Sequence, residues 1–385
     1  MTIPRPITHA AAPNWAGNEY SSVCPFNCDN SQLILVAVDH FILCDGDGVF
    51  QRDLPIAAAQ EPRWSRTDPN LLYYLTDSRY STPSQVRTFN VASMTSARIQ
   101  EFPECVTLMS RGETDISEDG QHLVLQGTRK DNVQEVLVYD LQSRSYPPAW
   151  ILDGPIDGLK ISPSNYPIIS KSDGLFIREG TTVSQLTEAN GHATVARYGR
   201  KDVLLWCSAA DKAIDRNALV LVDLSTYFQK TQLVEFPWDY AFHISPCNQG
   251  FCLVSTYSKV HPLLPMQLWK VPFALEPPTI LVSDTGGKYR EIAGDGGYTS
   301  QPKAALSRDG SRALYSVHDG TTVNTWLMEL DAPAAPPMTK PIPTPIEKPA
   351  DNDVRIDYAP YVGKSEFVLR PRPDGAVDIF ERKLK

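Results

Sequence analysis

Residues Gly112 to Leu125 read GETDISEDGQHLVL, and their pattern decides the fold. An alternating run ends at Ser117, a tight turn follows at Glu118-Asp119-Gly120, and an apolar strand leaves through Leu123, Val124 and Leu125. Asp-Gly between two such runs is a hairpin signal, because glycine takes a positive φ without steric cost. The unit recurs. Ser307-Arg308-Asp309-Gly310 precedes Ala313-Leu314-Tyr315, and Ser245-Pro246-Cys247-Asn248 precedes Phe251 to Val254. Ser162-Pro163-Ser164-Asn165 precedes Pro167-Ile168-Ile169, and Ser65-Arg66-Thr67-Asp68 precedes Leu71 to Tyr74.

Working outward, the chain divides into seven such units. After an irregular lead-in over 1–17, the first has strands at 33–38 and 40–44 and another ending at Leu54. Asp45 to Gly48 is a hairpin turn in this reading, since a calcium loop needs a bidentate Glu that does not follow. Later units begin at Glu61, Gly112, Ile156, Gly191 and Asp239 and near Gln301. Four short antiparallel strands in about forty residues is the size of one propeller blade. The expectation is an all-β fold, a seven-bladed β-propeller of four-stranded antiparallel blades over 18–331. A sandwich of two unrelated β domains is the alternative. Ala332 to Pro349 holds seven prolines in eighteen residues and reads as an extended tether over 332–350. Strands near 354–358, 365–369 and 376–380 form a β tail over 351–385, expected to lie against the propeller.

The 385 residues carry a net charge of −9. Phosphate binding needs clustered Lys and Arg, so neither a nucleic acid nor a membrane is expected as partner. No apolar run approaches the about 20 residues of a membrane helix. No signal sequence is visible, so the cytoplasm is the expected compartment, and an exported mature form would read the same. The seven Cys include no metal-type CxxC pair and read as free thiols. Gly-x-Ser-x-Gly, phosphate-loop, Rossmann and His-Glu-x-x-His signatures are all missing.

Propellers converge their innermost strands on a central channel, and alternation puts every second residue of a strand on one face. Counting back two from each turn serine or its equivalent gives Arg63, Asp115, Lys160, Thr194 and His243. Counting back four gives Glu61, Glu113, Gly158, His192 and Lys303, with Gln301 just before and Glu19-Tyr20 leading into the first blade. Ionisable groups at such density fit two readings. One is a solvated channel whose charges pair internally, Arg63 with Glu61. The other is a site for a polar or charged ligand, with His192 and His243 as its histidines. Trp15, Tyr20, Trp238 and Tyr240 are placed to stack on sugars, whereas Trp64 reads as core.

The Ser-Pro-x-Asn and Ser-x-Asp-Gly turns with their apolar strands resemble the TolB-type repeat, which says little of activity. The order Gly191-His192, His243-Ile244-Ser245 and Gln301-Pro302-Lys303 is similar to that of oligogalacturonate-lyase propellers. Histidines of that family's last blade are replaced here by Gln301 and Lys303. The resemblance implies a lyase that cleaves uronate linkages by β-elimination, with a divalent cation, Mn or Ca, held by His192, His243 and Gln301. Arg63 or Lys303 would neutralise the uronate carboxylate, His192 or His243 act as base, and Tyr20 or the other histidine as acid. Glu19, Glu61, Lys160, Trp238, Tyr240, Gln301 and Lys303 would bind the glycan. The rival expectation is a non-catalytic TolB-like platform that binds a protein or glycan on the propeller face.

Overall fold

A computed structural model describes residues 4–7, 16–37, 40–56, 60–76, 83–111, 113–210, 214–226, 228–261, 263–289, 300–319 and 322–331. It also gives the backbone of two tail strands at 365–371 and 377–383. The described residues form seven four-stranded antiparallel sheets, each built from strands adjacent in sequence except the last. The chain is thus a seven-bladed β-propeller. No helix of the described residues is long and apolar enough to cross a membrane.

The turn that the sequence repeats is closed by its serine side chain. Ser117 Oγ accepts from the His122 amide at 2.8 Å and donates to Asp119 at 2.5 Å, while Asp119 accepts from the Gln121 amide at 2.9 Å. Ser307, Asp309 and Arg312 repeat the arrangement in blade 7. The fourth turn position needs a positive φ, supplied by Gly120 at 74° and Gly310 at 69°. Neighbouring turns bond across blades: Asn165 donates to Asp119, and Asn30 to Asp309.

Alternation on the strands then builds the core as a set of seven blade interfaces. Leu123 and Leu125 pack with Val86 and Phe102 of blade 2, whereas Val124 between them packs with Leu159 and Ile169 of blade 4. Val203 and Leu205 face blade 6, and Leu204 and Trp206 face blade 4. Leu33, Leu35 and Phe26 of blade 1 meet Leu314 and Leu327 of blade 7, which closes the ring. A sheet apolar on both faces is stable only between two neighbours, and a ring gives every blade both.

Three details differ from the sequence expectation. The lead-in is not irregular throughout: Arg5–Pro6 pairs with Trp326 and Leu327 as the outermost strand of blade 7, and Ala16–Gly17 is the innermost strand of blade 1. Blade 3 begins at Cys105–Met109, ahead of Gly112. Two inner strands are also interrupted. Residues 18–24 leave the sheet before Phe26 bridges Leu33, and 110–111 and 113–116 leave it before the Ser117 turn. Ser22 Oγ joins the two excursions, donating to the Glu113 carbonyl at 2.5 Å.

The stretch Pro337–Lys385 is a separate compact unit. Within it Ser365–Pro371 pairs antiparallel with Val377–Lys383. The strand expected at 354–358, like His9 and Trp15, lies outside the described residues. All seven cysteines are free.

Candidate functional site in the channel

Three consecutive blades bring the histidines together. His192 sits just ahead of the inner strand Ala193–Tyr198, His243 is the third residue of Ala241–Pro246, and Gln301 and Lys303 precede Ala305–Leu306. The His192 Nδ1–H donates to the Phe242 carbonyl at 2.8 Å, so Nε2 carries the lone pair. The His243 Nε2–H donates to Gln301 Oε1 at 2.6 Å, which leaves Nδ1 buried and without a hydrogen-bond partner. The two imidazoles stack, Tyr257 stacks on the far side of His243 with centroids 5.1 Å apart, and Tyr20 meets His243 edge-on at 5.3 Å. Burial pushes the His192 pKa down, and burial together with His192 and Lys303 holds that of His243 well below the ordinary imidazole value. Both rings are neutral at pH 7.

A second group forms where the two excursions meet. Arg63, wholly buried, pairs through Nη1 with Glu19 and donates from the same nitrogen to Pro62 O at 2.9 Å, while Nε donates to Thr114 O at 2.6 Å and Nη2 to Ser110 Oγ at 3.2 Å. The pairing of Arg63 with Glu61 expected from sequence is replaced by this one. Glu61 accepts instead from the Ser110 amide and hydroxyl, the latter at 2.6 Å. Desolvation outweighs Arg63 at Glu19 and raises its pKa to about 7, though its side chain remains 17% exposed.

Between these groups Lys160 Nζ donates to Glu113 Oε2 at 2.9 Å. Glu113, Asp157, Asn190 and His192 line a cavity of about 260 Å³. Asn190 donates to Asp157 at 2.7 Å, so the wall presents carboxylate acceptors held in place. Thr194 is buried on the neighbouring strand. Trp238 and Tyr240 are not part of the histidine group. They lie on the connection into the blade 6 inner strand, where Trp238 is 60% exposed and the Tyr240 carbonyl accepts from Asn217 at 2.7 Å. Trp64 is core, its indole N–H bonded to Pro25 O at 2.9 Å.

Sequence reasoning missed Tyr257, Asp157 and Asn190. Tyr257 belongs to a second strand, paired with Ala241 in register, and only the partner register brings it to His243. Asp157 stands immediately before the inner strand of blade 4 and Asn190 three residues before that of blade 5, both outside the count from the turns.

The residues do not fit the divalent cation that the lyase resemblance implies. The His192 and His243 rings lie face to face instead of pointing edge-on at one centre, and Gln301 Oε1 is already bonded to His243. Buried Lys303 adds a positive charge beside them. Among the described residues no three His, Cys, Asp or Glu are grouped to hold an ion. Typical divalent sites draw on such donors.

No protein-family model matches the chain, and no curated protein matches it in sequence. Solved structures do match in shape. An oligogalacturonate lyase in complex with manganese aligns over 85% of this chain and 92% of its own, with a TM-score of 0.63 and 13% identity. The oligogalacturonate lyase of Vibrio parahaemolyticus aligns over 85% and 93%, at 0.64 and 10%. The β-propeller domain of the Trilobed protease from Pyrococcus furiosus aligns over 81% and 98%, at 0.51 and 11%. Identities this low establish a common fold and nothing finer.

Proposed function

We propose that this propeller is carbohydrate-active and cleaves uronate-containing oligo- or polysaccharides by β-elimination. The observation that carries the reading is His192, a neutral imidazole whose tautomer is fixed by the Phe242 carbonyl and whose ring walls the 260 Å³ cavity. A base of this kind removes the proton α to the uronate carboxylate. Lys303 neutralises that carboxylate and so stabilises the charge developed on it. The C–H electron pair becomes the new double bond, the bond from the β carbon to the glycosidic oxygen breaks, and that oxygen takes a proton from Tyr20. Glu113 and Asp157 accept hydrogen bonds from sugar hydroxyls, with Lys160 and Asn190 holding them. His243 and Gln301 keep the His192 ring in place, while Arg63 and Glu61 position Glu19 and Ser110. No step passes through a metal.

The test is ultraviolet absorbance of the new double bond during incubation with a panel of uronic-acid polysaccharides. Absorbance should rise with the wild-type chain and stay flat with His192→Asn. A flat trace across the panel from folded wild-type protein sinks the reading.

A second reading is favoured by a different surface. Trp238, Val260 (72% exposed) and Leu263 (95% exposed) stand on two loops of blade 6 joined by His261 and Asp239 at 3.5 Å. Exposed apolar residues gathered on one face suit a non-catalytic platform for a protein or glycan. Glycan retention that survives His192→Asn and is lost in Trp238→Ala supports this reading over the first.

A further inference from the structure

The channel holds a second cavity toward the turn side, lined from all seven blades, with a volume of about 100 Å³. That is room for several waters. Arg308 enters from blade 7 and Arg66 from blade 2, and they share one carboxylate. Asp115 Oδ2 lies 3.3 Å from Arg308 Nη2 and 3.9 Å from Arg66 Nη2. The Asp115 oxygens accept in addition from the Cys24 and Ile116 amides, at 3.2 and 2.7 Å.

Of the other carboxylates on the wall, Glu113 has a cation of its own and Glu118 shares one. Glu113 faces Lys160, and Glu118 lies 3.4 Å from Arg197, which turns its other edge to Asp202 outside the cavity. Two guanidiniums thus converge on one carboxylate at a poorly solvated place, while Arg197 divides itself between Glu118 and Asp202.

Hydrogen-bond donors are left over at the same spot. Arg308 Nε and Nη1 are buried with no hydrogen-bond partner, and the Cys24 thiol beside them is a weak acceptor. Ser21 lines the cavity, is fully buried, and its hydroxyl has no partner either. Unmet donors beside two converging guanidiniums call for one kind of occupant, a group rich in hydrogen-bond acceptors.

We propose that this cavity binds a small oxyanion, a carboxylate or phosphate group, between Arg308, Arg66 and Ser21. Guanidinium and hydroxyl donors suit oxygen acceptors of either group. The assignment does not depend on the lyase reading, because neither His192 nor Lys303 takes part.

The experiment is isothermal titration calorimetry of the full chain with sodium phosphate and, separately, sodium acetate, at ionic strength fixed with sodium chloride. The expected result is saturable one-to-one binding of at least one anion, and comparison of the two titrations tells phosphate from carboxylate. Affinity should fall about tenfold in Arg308→Gln, the loss of one charged hydrogen-bonding group. Ser21→Ala, a milder change that keeps the test decisive if Arg308→Gln fails to fold, should weaken binding severalfold. Absence of saturable heat with both anions shows that water alone fills the cavity and overturns the proposal. Binding undiminished in the folded variants places the anion elsewhere and overturns it equally.

Discussion

His192 and His243 lie face to face, their ring centroids 4.6 Å apart and their planes 12° from parallel. Two imidazolium rings could not hold this arrangement without strong repulsion, and burial already disfavours the charged form of each. The pair is therefore a neutral unit in which His192 Nε2 keeps its lone pair near neutral pH.

The first prediction concerns pH. If His192 is the base, the acid limb of kcat/KM for uronate cleavage should fall below the ordinary imidazole value of 6.5. A pH–rate profile measures it. An acid limb at or above 6.5 removes the buried imidazole from the role.

Glu19 gives a stability signature of its own. Its folded-state pKa, about 7, lies above the ordinary 4.5, so the native chain holds this proton more tightly than the unfolded one. The contribution is whole below pH 4.5 and is lost as pH rises through about 7. Wild-type stability should decline across that window by on the order of 1–3 kcal/mol from this group, and Glu19→Gln should flatten the slope. Urea denaturation at several pH values reads the difference. Equal slopes in the two proteins would show that Glu19 titrates normally.

Arg63 is the third test. Its guanidinium is buried and every described partner is fixed, so Arg63→Ala leaves Glu19 without its counter-charge. The expected loss is about 3–5 kcal/mol, typical of a broken buried pair. A loss below about 1 kcal/mol, the exposed-pair range, would mean that water reaches the cluster freely.

How far the sequence was legible follows from these same residues. The blades were readable because each Ser-turn carries its own hydrogen bonds and each second strand alternates, so Leu123, Val124 and Leu125 announce two interfaces at once. Counting back from the turns located His243 and Lys160 correctly on inner strands because those strands are regular. It failed for the partner of Arg63. Glu61 adopts φ of 53° and the register slips between Gln60 and Arg63, which cancels a period-two count. Glu19 reaches Arg63 only because residues 18–24 leave their sheet. The closing strand Arg5–Pro6 is two residues long and contains proline, so no propensity marks it.

Metal dependence is the fourth prediction. With His243 bonded to Gln301 and Lys303 alongside, EDTA should leave eliminative activity unchanged, and added Mn²⁺ should keep its free-ion electron paramagnetic resonance spectrum in the presence of the protein. Activity lost to EDTA and restored by Mn²⁺ would contradict the arrangement of donors described above.

The pairing of Arg5 with Leu327 has a consequence for how the chain is made. Six blades each gather four strands from one contiguous stretch, and each can assemble as it leaves the ribosome. The seventh cannot. Its outer strand is synthesised before any blade exists and stays unpaired until residues 305–329 have been made, about three hundred positions later. Closing that circle joins the most distant partners in the propeller, so it carries the largest chain-entropy cost and comes last. Until then the Leu33 and Leu35 face of blade 1 and the Leu314 face of blade 7 are open to water and to other nascent chains.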